Sequence, residues 1–154
     1  MDFMKEYEKW LASPALSESE RAELEAIRND PKEIEARFYG PLEFGTAGLR
    51  GTMYVGLHNM NIHVIRWATQ GFADVICAEG PEGKNRGVAI CMDCRNHSME
   101  FARAAAEVCA ANGIHVRIFE SLRPTPELSF AVREYHCQAG INVTASHNPK
   151  EYNG

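Results

Sequence analysis

Val88-Ala89-Ile90-Cys91-Met92 is the stretch that decides the fold of this chain. Its five apolar residues follow one another without polar alternation, which predicts a strand buried on both faces. Residues 115–119 are predicted to form another strand and residues 139–145 a last apolar strand, and helical spacing of apolar residues lies between the strands. Strands that alternate with helices predict an α/β fold, a three-layer α/β/α sandwich with a mostly parallel or mixed sheet.

The helices around this sheet are predicted from apolar residues that recur every three or four positions. One spans residues 61–78, with an expected inward face of Ile62, Ile65, Thr69, Phe72, Val75 and Ile76. Ser98 is the expected N-cap of the next helix, and Asn112-Gly113 is its expected stop. Thr125 and Pro126 open a third helix, with an expected inward face of Leu128, Ala131, Val132 and Tyr135. The glycine- and proline-rich residues 80–83 predict a loop.

Residues 1–40 are predicted to form an N-terminal helical arm that precedes the α/β domain. They carry 10 acidic and 6 basic residues, and their net charge of −4 is therefore most of the chain's net charge of −5. Ser17 with Glu20 forms a capping box, and Asp30 before Pro31 marks another helix start. The domain itself is expected over residues 41–154 and is expected to be incomplete at its C-terminal end.

Composition excludes several classes of protein. The 154 residues include 21 acidic and 16 basic ones, a net charge of −5, and 45% are hydrophobic. This is the composition of a folded globular domain, and the negative charge gives no support for nucleic-acid binding. No apolar run approaches the roughly 20 residues of a membrane span, and no signal peptide opens the chain. We therefore expect a cytoplasmic protein that engages neither nucleic acid nor membrane.

Polar residues cluster where each predicted strand ends. Asp93-Cys94-Arg95-Asn96 follows the first strand, Arg123-Pro124-Thr125-Pro126 comes after the second, and Ser146-His147-Asn148-Pro149-Lys150 follows the third. Ligands of parallel sheets bind at the carboxyl ends of the strands. These segments therefore predict a functional site at one edge of the sheet.

Ser146 stands directly between the last apolar run and His147-Asn148-Pro149. Pro149 disfavours helical geometry at Asn148, so the serine is presented on a restricted loop. The hydroxyl is either a nucleophile that forms a covalent intermediate or a turn hydroxyl that binds its own backbone. His147 is able to donate a hydrogen bond to a phosphate. Neighbouring side chains of an extended segment point in opposite directions, so a direct Ser146–His147 pair is not implied.

The second segment of interest is rich in glycine. Phe44-Gly45-Thr46-Ala47-Gly48-Leu49-Arg50-Gly51 has glycines at three-residue spacing and one arginine. Glycines let backbone amides approach a phosphate, and the arginine adds a bidentate donor. A glycine-rich bend in a strand is the alternative.

Five cysteines without a signal peptide predict reduced thiols. Cys91 and Cys94 form a single CxxC, which either serves a metal or redox site, with His97 as a further ligand, or places Cys91 in a buried strand. A structural zinc site needs four ligands, and no second CxxC is present. We therefore rank a metal or redox protein last among the functions considered.

Four segments, in their order along the chain, resemble the α-D-phosphohexomutases. Residues 44–51 resemble the N-terminal signature of that family, and Asp93-x-Arg95 and Pro124-Thr125-Pro126 also match. Thr144-Ala145-Ser146-His147-Asn148-Pro149-Lys150-Glu151-Tyr152-Asn153-Gly154 resembles its phosphoserine loop. The arm, with Arg37-Phe38-Tyr39, is similar to the phosphoglucomutase/phosphopentomutase-like branch. The resemblance covers the whole chain but only the first of the family's four domains.

The resemblance implies roles for particular residues. Ser146 would carry the phosphoryl group that is passed to a sugar phosphate and recovered from a bisphosphate intermediate, and its phosphate would also be a ligand of Mg²⁺. The implied catalytic residues are Ser146, His147 and Arg50. Those implied to bind phosphate or substrate are Thr46, Arg50 and Lys150. Those implied to support the loop are Asp93, Arg95 and Asn148.

The implied function is the interconversion of hexose 1-phosphate and hexose 6-phosphate, with glucose phosphates expected and mannose or pentose phosphates as variants. Sugar phosphates, domains II–IV of the same protein and a glucose 1,6-bisphosphate-type activator are the implied partners. The acid/base lysine and the metal-binding aspartates would lie outside this chain, so the chain alone is expected to have no turnover. A non-catalytic sugar-phosphate-binding or interaction module derived from the same domain is the alternative.

Overall fold

The computed structural model describes residues 2–45 and 48–154 of the chain. Within these residues there are seven helices: α1 (Phe3–Leu11), α2 (Glu18–Ala26), α3 (Pro31–Phe38), α4 (Ile62–Ala78), α5 (Gly80–Arg86), α6 (Ser98–Ala111) and α7 (Thr125–Glu134). The strands of the same residues are β1 (Gly51–Thr52), β2 (Val88–Met92), β3 (Val116–Ile118), β4 (Ala139–Val143) and β5 (Tyr152–Asn153). None of the helices in the described part combines the length and apolar character that crossing a bilayer requires.

The chain divides into two compact units, Met1–Asn61 together with Gly154, and Ile62–Asn153. The first unit contains the three predicted arm helices, and local capping explains where they begin. Ser17 and Glu20 form the predicted capping box, and the carboxylate of Asp30 accepts from the backbone N–H groups of Lys32 and Glu33, both at 3.1 Å. Residues from beyond the arm complete its core, which contains Tyr7, Leu16, Leu24, Ile34, Phe38, Val55 and Leu57.

Arg37 ties the arm to the segment that follows the glycine-rich motif. Its side chain is buried and donates to the carboxylates of Glu23 (2.5 Å) and Glu33 (2.9 Å). The same oxygen of Glu23 accepts from the backbone N–H of Val55 at 3.0 Å. Residues 41–61 therefore cluster with the arm in this unit, and the predicted domain boundary after residue 40 stays a prediction.

The second unit contains a parallel three-stranded sheet in the order β3-β2-β4. The central strand β2 has the predicted bounds, and all five of its residues are buried. Val88 lies opposite Val116 of β3 and opposite Ala139 of β4. The carboxyl ends of the three strands therefore meet at one edge, as the sequence predicts for the site.

Helices cover both faces of this sheet. Ala89 and Cys91 of β2 pack in one cluster with Leu128 of α7 and with Cys137. Alternate residues of a strand point to opposite faces, so Val88, Ile90 and Met92 face the other side, where α6 contacts the sheet. α4 packs on α6, and α5 packs on α4. The predicted α/β/α layering is therefore confirmed.

Three local expectations are wrong. The predicted loop at residues 80–83 is the start of α5, because Pro81 is compatible with a first helical turn and buried Gly83 permits close packing: an added Cβ would lie 2.7 Å from the Cβ of Glu79. The N-cap of α6 is His97, and Ser98 is its first helical residue. Val75 and Tyr135, expected inward, are 67% and 56% exposed.

Candidate active site

Ser146 lies just beyond the carboxyl end of β4 and is exposed. Its φ of 54° is in the left-handed region, which residues other than glycine seldom adopt. The N–H of Asn148 donates to the carbonyl oxygen of Ala145 at 3.0 Å and closes a tight turn around the serine. Uncommon backbone geometry of this kind persists only where neighbouring groups hold it.

Arg95 is the main support of this turn. Its Nη2 donates to the carbonyl oxygens of Ser146 and Asn148, both at 2.8 Å, and its Nη1 donates to those of Pro149 (2.9 Å) and Tyr152 (3.0 Å). A planar guanidinium offers several donors in a rigid arrangement, which suits a loop that turns its carbonyl groups inward. One side chain therefore holds the backbone of the whole 146–152 segment.

Asp93 connects the same loop to the segment after β2. Its Oδ1 accepts from the backbone N–H of Arg95 (3.0 Å) and from the hydroxyl of Ser98 (2.9 Å). Its Oδ2 accepts from the hydroxyl of Thr144 at 2.5 Å and lies 3.5 Å from Nε of Arg95. The carboxylate thus binds groups that follow β2 and a group that follows β4, and its negative charge partly balances the positive charge of Arg95.

Ser146 and His147 form a pair that the sequence argument did not expect. Their Oγ and Nδ1 atoms are 3.3 Å apart. The expectation assumed an extended segment, whereas the left-handed φ of Ser146 turns the backbone and brings the two side chains to the same side. The serine hydroxyl therefore has an imidazole nitrogen within hydrogen-bonding reach.

Lys150, Arg50 and Thr46 are the remaining predicted site residues. Lys150 is exposed and makes no hydrogen bond or ion pair within residues 2–45 and 48–154. Arg50 is exposed and belongs to the first unit, whereas the serine loop belongs to the second, so its place beside Ser146 stays a prediction. Gly45 and Gly48 exchange backbone hydrogen bonds of 2.9 and 3.5 Å. Thr46 lies outside the described residues.

The CxxC pair favours the core interpretation of Cys91. Cys91 is fully buried, and its Sγ donates to Oδ1 of Asn142 at 3.0 Å. Burial, and to a lesser degree the charges of Asp93 and Glu127, raises the pKa of this thiol to about 11. The described residues contain no group of three histidine, cysteine or acidic side chains able to hold a metal ion. His97 instead pairs with Glu100.

Sequence reasoning missed three polar residues at the site: Thr144, Ser98 and Asn153. Asn153 is fully buried, and its Nδ2 donates to the carbonyl oxygen of Asn96 (2.9 Å) and to the hydroxyl of Ser98 (3.0 Å). Ser98 was expected to cap a helix, and the other two were quoted only as part of the serine loop. Polar residues next to a predicted loop nucleophile were the available signal.

Residues 41–154 match the model of a protein family described as phosphoglucomutase/phosphomannomutase, alpha/beta/alpha domain I. The chain belongs to the phosphoglucomutase/phosphomannomutase family. This confirms the family and the N-terminal position that the glycine-rich motif and the serine loop predicted.

Curated relatives of this family carry three different names. The chain is 38% identical to a phosphopentomutase of Mus musculus, over 95% of this chain and 24% of the relative. It is 35% identical to a phosphomannomutase of Mycoplasma pneumoniae, over 97% of this chain and 27% of the relative. It is 43% identical to a phosphoglucomutase of Staphylococcus aureus, over 79% of this chain and 22% of the relative.

A solved structure supports the fold. The crystal structure of a Thermus thermophilus protein described as a phosphomannomutase matches with a TM-score of 0.66 and 32% identity, over 75% of this chain and 25% of that chain. The chain thus spans about a quarter of the length of these relatives.

Proposed function

We propose that this chain is the serine-bearing domain of a phosphohexomutase that interconverts hexose 1-phosphate and hexose 6-phosphate through a phosphoserine and a bisphosphate intermediate. The observation that carries the proposal is Ser146, exposed in a left-handed conformation on a loop whose carbonyl groups are held by Arg95. Glucose phosphates are the proposed substrates, with mannose and pentose phosphates next, since relatives named for all three exist.

In the proposed first transfer, the bond between Oγ of Ser146 and phosphorus breaks and a bond from phosphorus to a sugar hydroxyl oxygen forms. The hydroxyl proton leaves to a general base that the described residues do not identify. As its bond to phosphorus breaks, Oγ of Ser146 takes up a proton, which the imidazole of His147, 3.3 Å away, would supply. In the second transfer, the bond between phosphorus and a sugar oxygen of the bisphosphate breaks, and that oxygen takes up a proton from the unidentified acid/base group. Oγ of Ser146 forms the new bond to phosphorus and loses its own proton. Nδ1 of His147, 3.3 Å away, is the proposed acceptor of that proton.

The negative charge of a phosphate on Ser146 must be balanced by other groups of the site. A phosphoserine carries about −1.5 to −2 charges, and phosphoryl transfer depends chiefly on positioning and charge compensation. The guanidinium of Arg95 already bonds to four loop carbonyl groups, so it is a support and not a phosphate ligand. We assign phosphate binding to Arg50, Lys150 and Thr46, as the resemblance implies.

Magnesium and the activator remain proposals. This chain would contribute one ligand, the phosphate on Ser146, as the resemblance implies. A bound Mg²⁺ would neutralise charge on the transferred group. We also propose a cytoplasmic location, a glucose 1,6-bisphosphate-type activator, and completion of the active site by domains II–IV.

The test is phosphopeptide mass spectrometry on the full-length gene product, combined with mutase assays of Ser146→Ala. We expect phosphate on Ser146 and turnover at least about a thousandfold lower in the variant, because a phosphoryl-carrying nucleophile has no substitute in alanine. Ser129→Ala, which changes another exposed serine of the same unit, should keep full activity.

An unmodified Ser146 and an active alanine variant would refute the proposal. Binding of glucose 6-phosphate without phosphate on Ser146 and without turnover would instead identify the non-catalytic sugar-phosphate module.

A further inference from the structure

An unbroken chain of hydrogen bonds leads from buried Asn153 to the backbone of the candidate nucleophile. Nδ2 of Asn153 donates to the hydroxyl of Ser98 at 3.0 Å, which donates to Oδ1 of Asp93 at 2.9 Å. Oδ2 of Asp93 accepts from the hydroxyl of Thr144 at 2.5 Å. Oγ1 of Thr144 accepts from the backbone N–H of Ser146 at 3.0 Å.

Asp93 determines the direction of the two hydroxyl hydrogen bonds in this chain. An ionised carboxylate only accepts, so the hydroxyl protons of Ser98 and Thr144 must both point towards it. The lone pairs of the two hydroxyls are then free for the side-chain amide of Asn153 and the N–H of Ser146. Thr144 therefore has one hydroxyl orientation that satisfies its surroundings.

The backbone of Ser146 is held at both of its polar groups. The chain of hydrogen bonds reaches its N–H, and Arg95 binds its carbonyl group. The N–H of Ser146 reaches Asp93 through Thr144, and the carbonyl group of Ser146 binds Nη2 of Arg95 at 2.8 Å. Asp93 and Arg95 themselves lie 3.5 Å apart between Oδ2 and Nε. Both peptide groups that flank the φ of 54° at Ser146 are thus bound to one acid–arginine pair.

We propose that Thr144 is a positioning residue for phosphoryl transfer at Ser146: its hydroxyl couples the serine amide to Asp93 and keeps the serine left-handed. The inference rests on the proposed function for its catalytic consequence, but its structural part stands without it. Loss of the hydroxyl frees the amide, so that Ser146 also populates conformations in which Oγ no longer lies beside His147.

The structural test is backbone hydrogen exchange at Ser146 in the 154-residue chain, measured by NMR. Thr144→Val keeps the shape and loses the hydroxyl, and it should speed exchange at Ser146 at least about tenfold. Thr144→Ser keeps the hydroxyl and should restore protection to within about threefold of the parent. Thr125→Val is the matched control, because the hydroxyl of Thr125 accepts from Asn142 and not from the serine loop. It should leave exchange at Ser146 unchanged.

The catalytic test uses the full-length gene product. We expect Thr144→Val to lower kcat about 10- to 100-fold with little change in the KM for sugar phosphate, because a misplaced nucleophile slows the chemical step and not binding. Thr144→Ser should recover most of kcat. A parallel rise of KM, or no rescue by serine, would overturn the positioning role.

Two further variants keep the proposal open to refutation. If Thr144→Val does not fold, Thr144→Ala is tested in the same way. In an Asp93→Asn background, Thr144→Val should add little, because the coupling is already weakened. Unchanged exchange at Ser146 in both threonine variants would reject the inference. Turnover by Ser146→Ala would reject the proposed function alone and leave the exchange result valid.

Discussion

Nη2 of Arg95 lies 2.8 Å from the carbonyl oxygen of Ser146, so an arginine after one strand holds a serine after the neighbouring strand. The contact joins residues 51 positions apart in the chain. It exists because β2 and β4 are parallel neighbours whose carboxyl ends coincide. The same guanidinium binds three further carbonyl groups of this loop. Substitution of Arg95 is therefore the most direct test of how the loop is held.

We expect Arg95→Lys to loosen residues 146–152 although the charge is kept. Lysine has one compact ammonium group and does not reach four carbonyl oxygens at once. Hydrogen bonds to charged groups are worth about 1.5–3 kcal/mol each, so a net loss of about 2–3 kcal/mol in the free energy of unfolding is expected. Urea denaturation measures it. Arg133→Lys, where Nη1 donates to the hydroxyl of Ser129, is the control and should cost under about 1 kcal/mol. Equal midpoints for the two variants would contradict the prediction.

The two cysteines of the CxxC pair should differ in reactivity. The thiolate is the reactive form, and burial raises the pKa of Cys91 to about 11, so this thiol stays protonated at pH 8 and its reactive fraction grows only as the pH approaches 11. Cys94 is exposed. Iodoacetamide at pH 8, followed by peptide mass spectrometry, should modify Cys94 and leave Cys91 intact in the folded chain. Modification of both at equal rates would show that β2 opens.

Two glycines with similar φ angles should respond differently to alanine. Gly87 has a φ of 70°, and an added Cβ would lie 2.0 Å from the carbonyl oxygen of His115. Gly113 has a φ of 75°, but its nearest neighbour would be Nζ of Lys84 at 4.0 Å. Gly113→Ala should cost about 1–2 kcal/mol from the left-handed backbone alone. Gly87→Ala adds a clash that overpacking data place at about 1–3 kcal/mol or more. Thermal unfolding of both variants measures the difference, and equal costs would contradict it.

Arg37→Ala should destabilise the first compact unit. It removes a buried guanidinium and leaves the carboxylates of Glu23 and Glu33 without their partner. Breaking a buried ion pair from one side costs about 3–5 kcal/mol, and partial exposure of the two acids places this case at the lower end. Circular dichroism during urea unfolding measures the loss. Arg28→Ala, at an exposed position of the same unit, is the control and should change stability by under about 1 kcal/mol.

Local signals predicted much of the secondary structure correctly. β2 was predicted to the residue because five consecutive apolar side chains are compatible with a strand buried on both faces and with few other structures. The capping box of Ser17 and Glu20 was also correct, because both hydrogen bonds lie within four residues. Sequence signals that act within about five residues do not depend on the rest of the fold.

Predictions that needed a packing partner failed more often. Periodicity identified α4 as a helix, but Val75 is exposed and Val64 is buried, because α6 selects which side of α4 is covered. Gly80 and Gly83 predicted a loop, whereas a Cβ added to Gly83 would lie only 2.7 Å from the Cβ of Glu79, so one of these glycines serves packing. The local sequence indicates that a segment is amphipathic or flexible, but it does not show which element of the fold packs against that segment.

The candidate site likewise has residues that the sequence predicts and contacts that only the folded structure shows. Residue order and type were sufficient to select Ser146, Asp93 and Arg95, to name the family and to expect them at one edge of a parallel sheet. The left-handed backbone of Ser146, its approach to His147, and the bonds through Thr144, Ser98 and Asn153 became visible only in the folded chain. A side chain's direction depends on groups that are 50 or more positions away in sequence, and folding alone brings those groups within 3 Å.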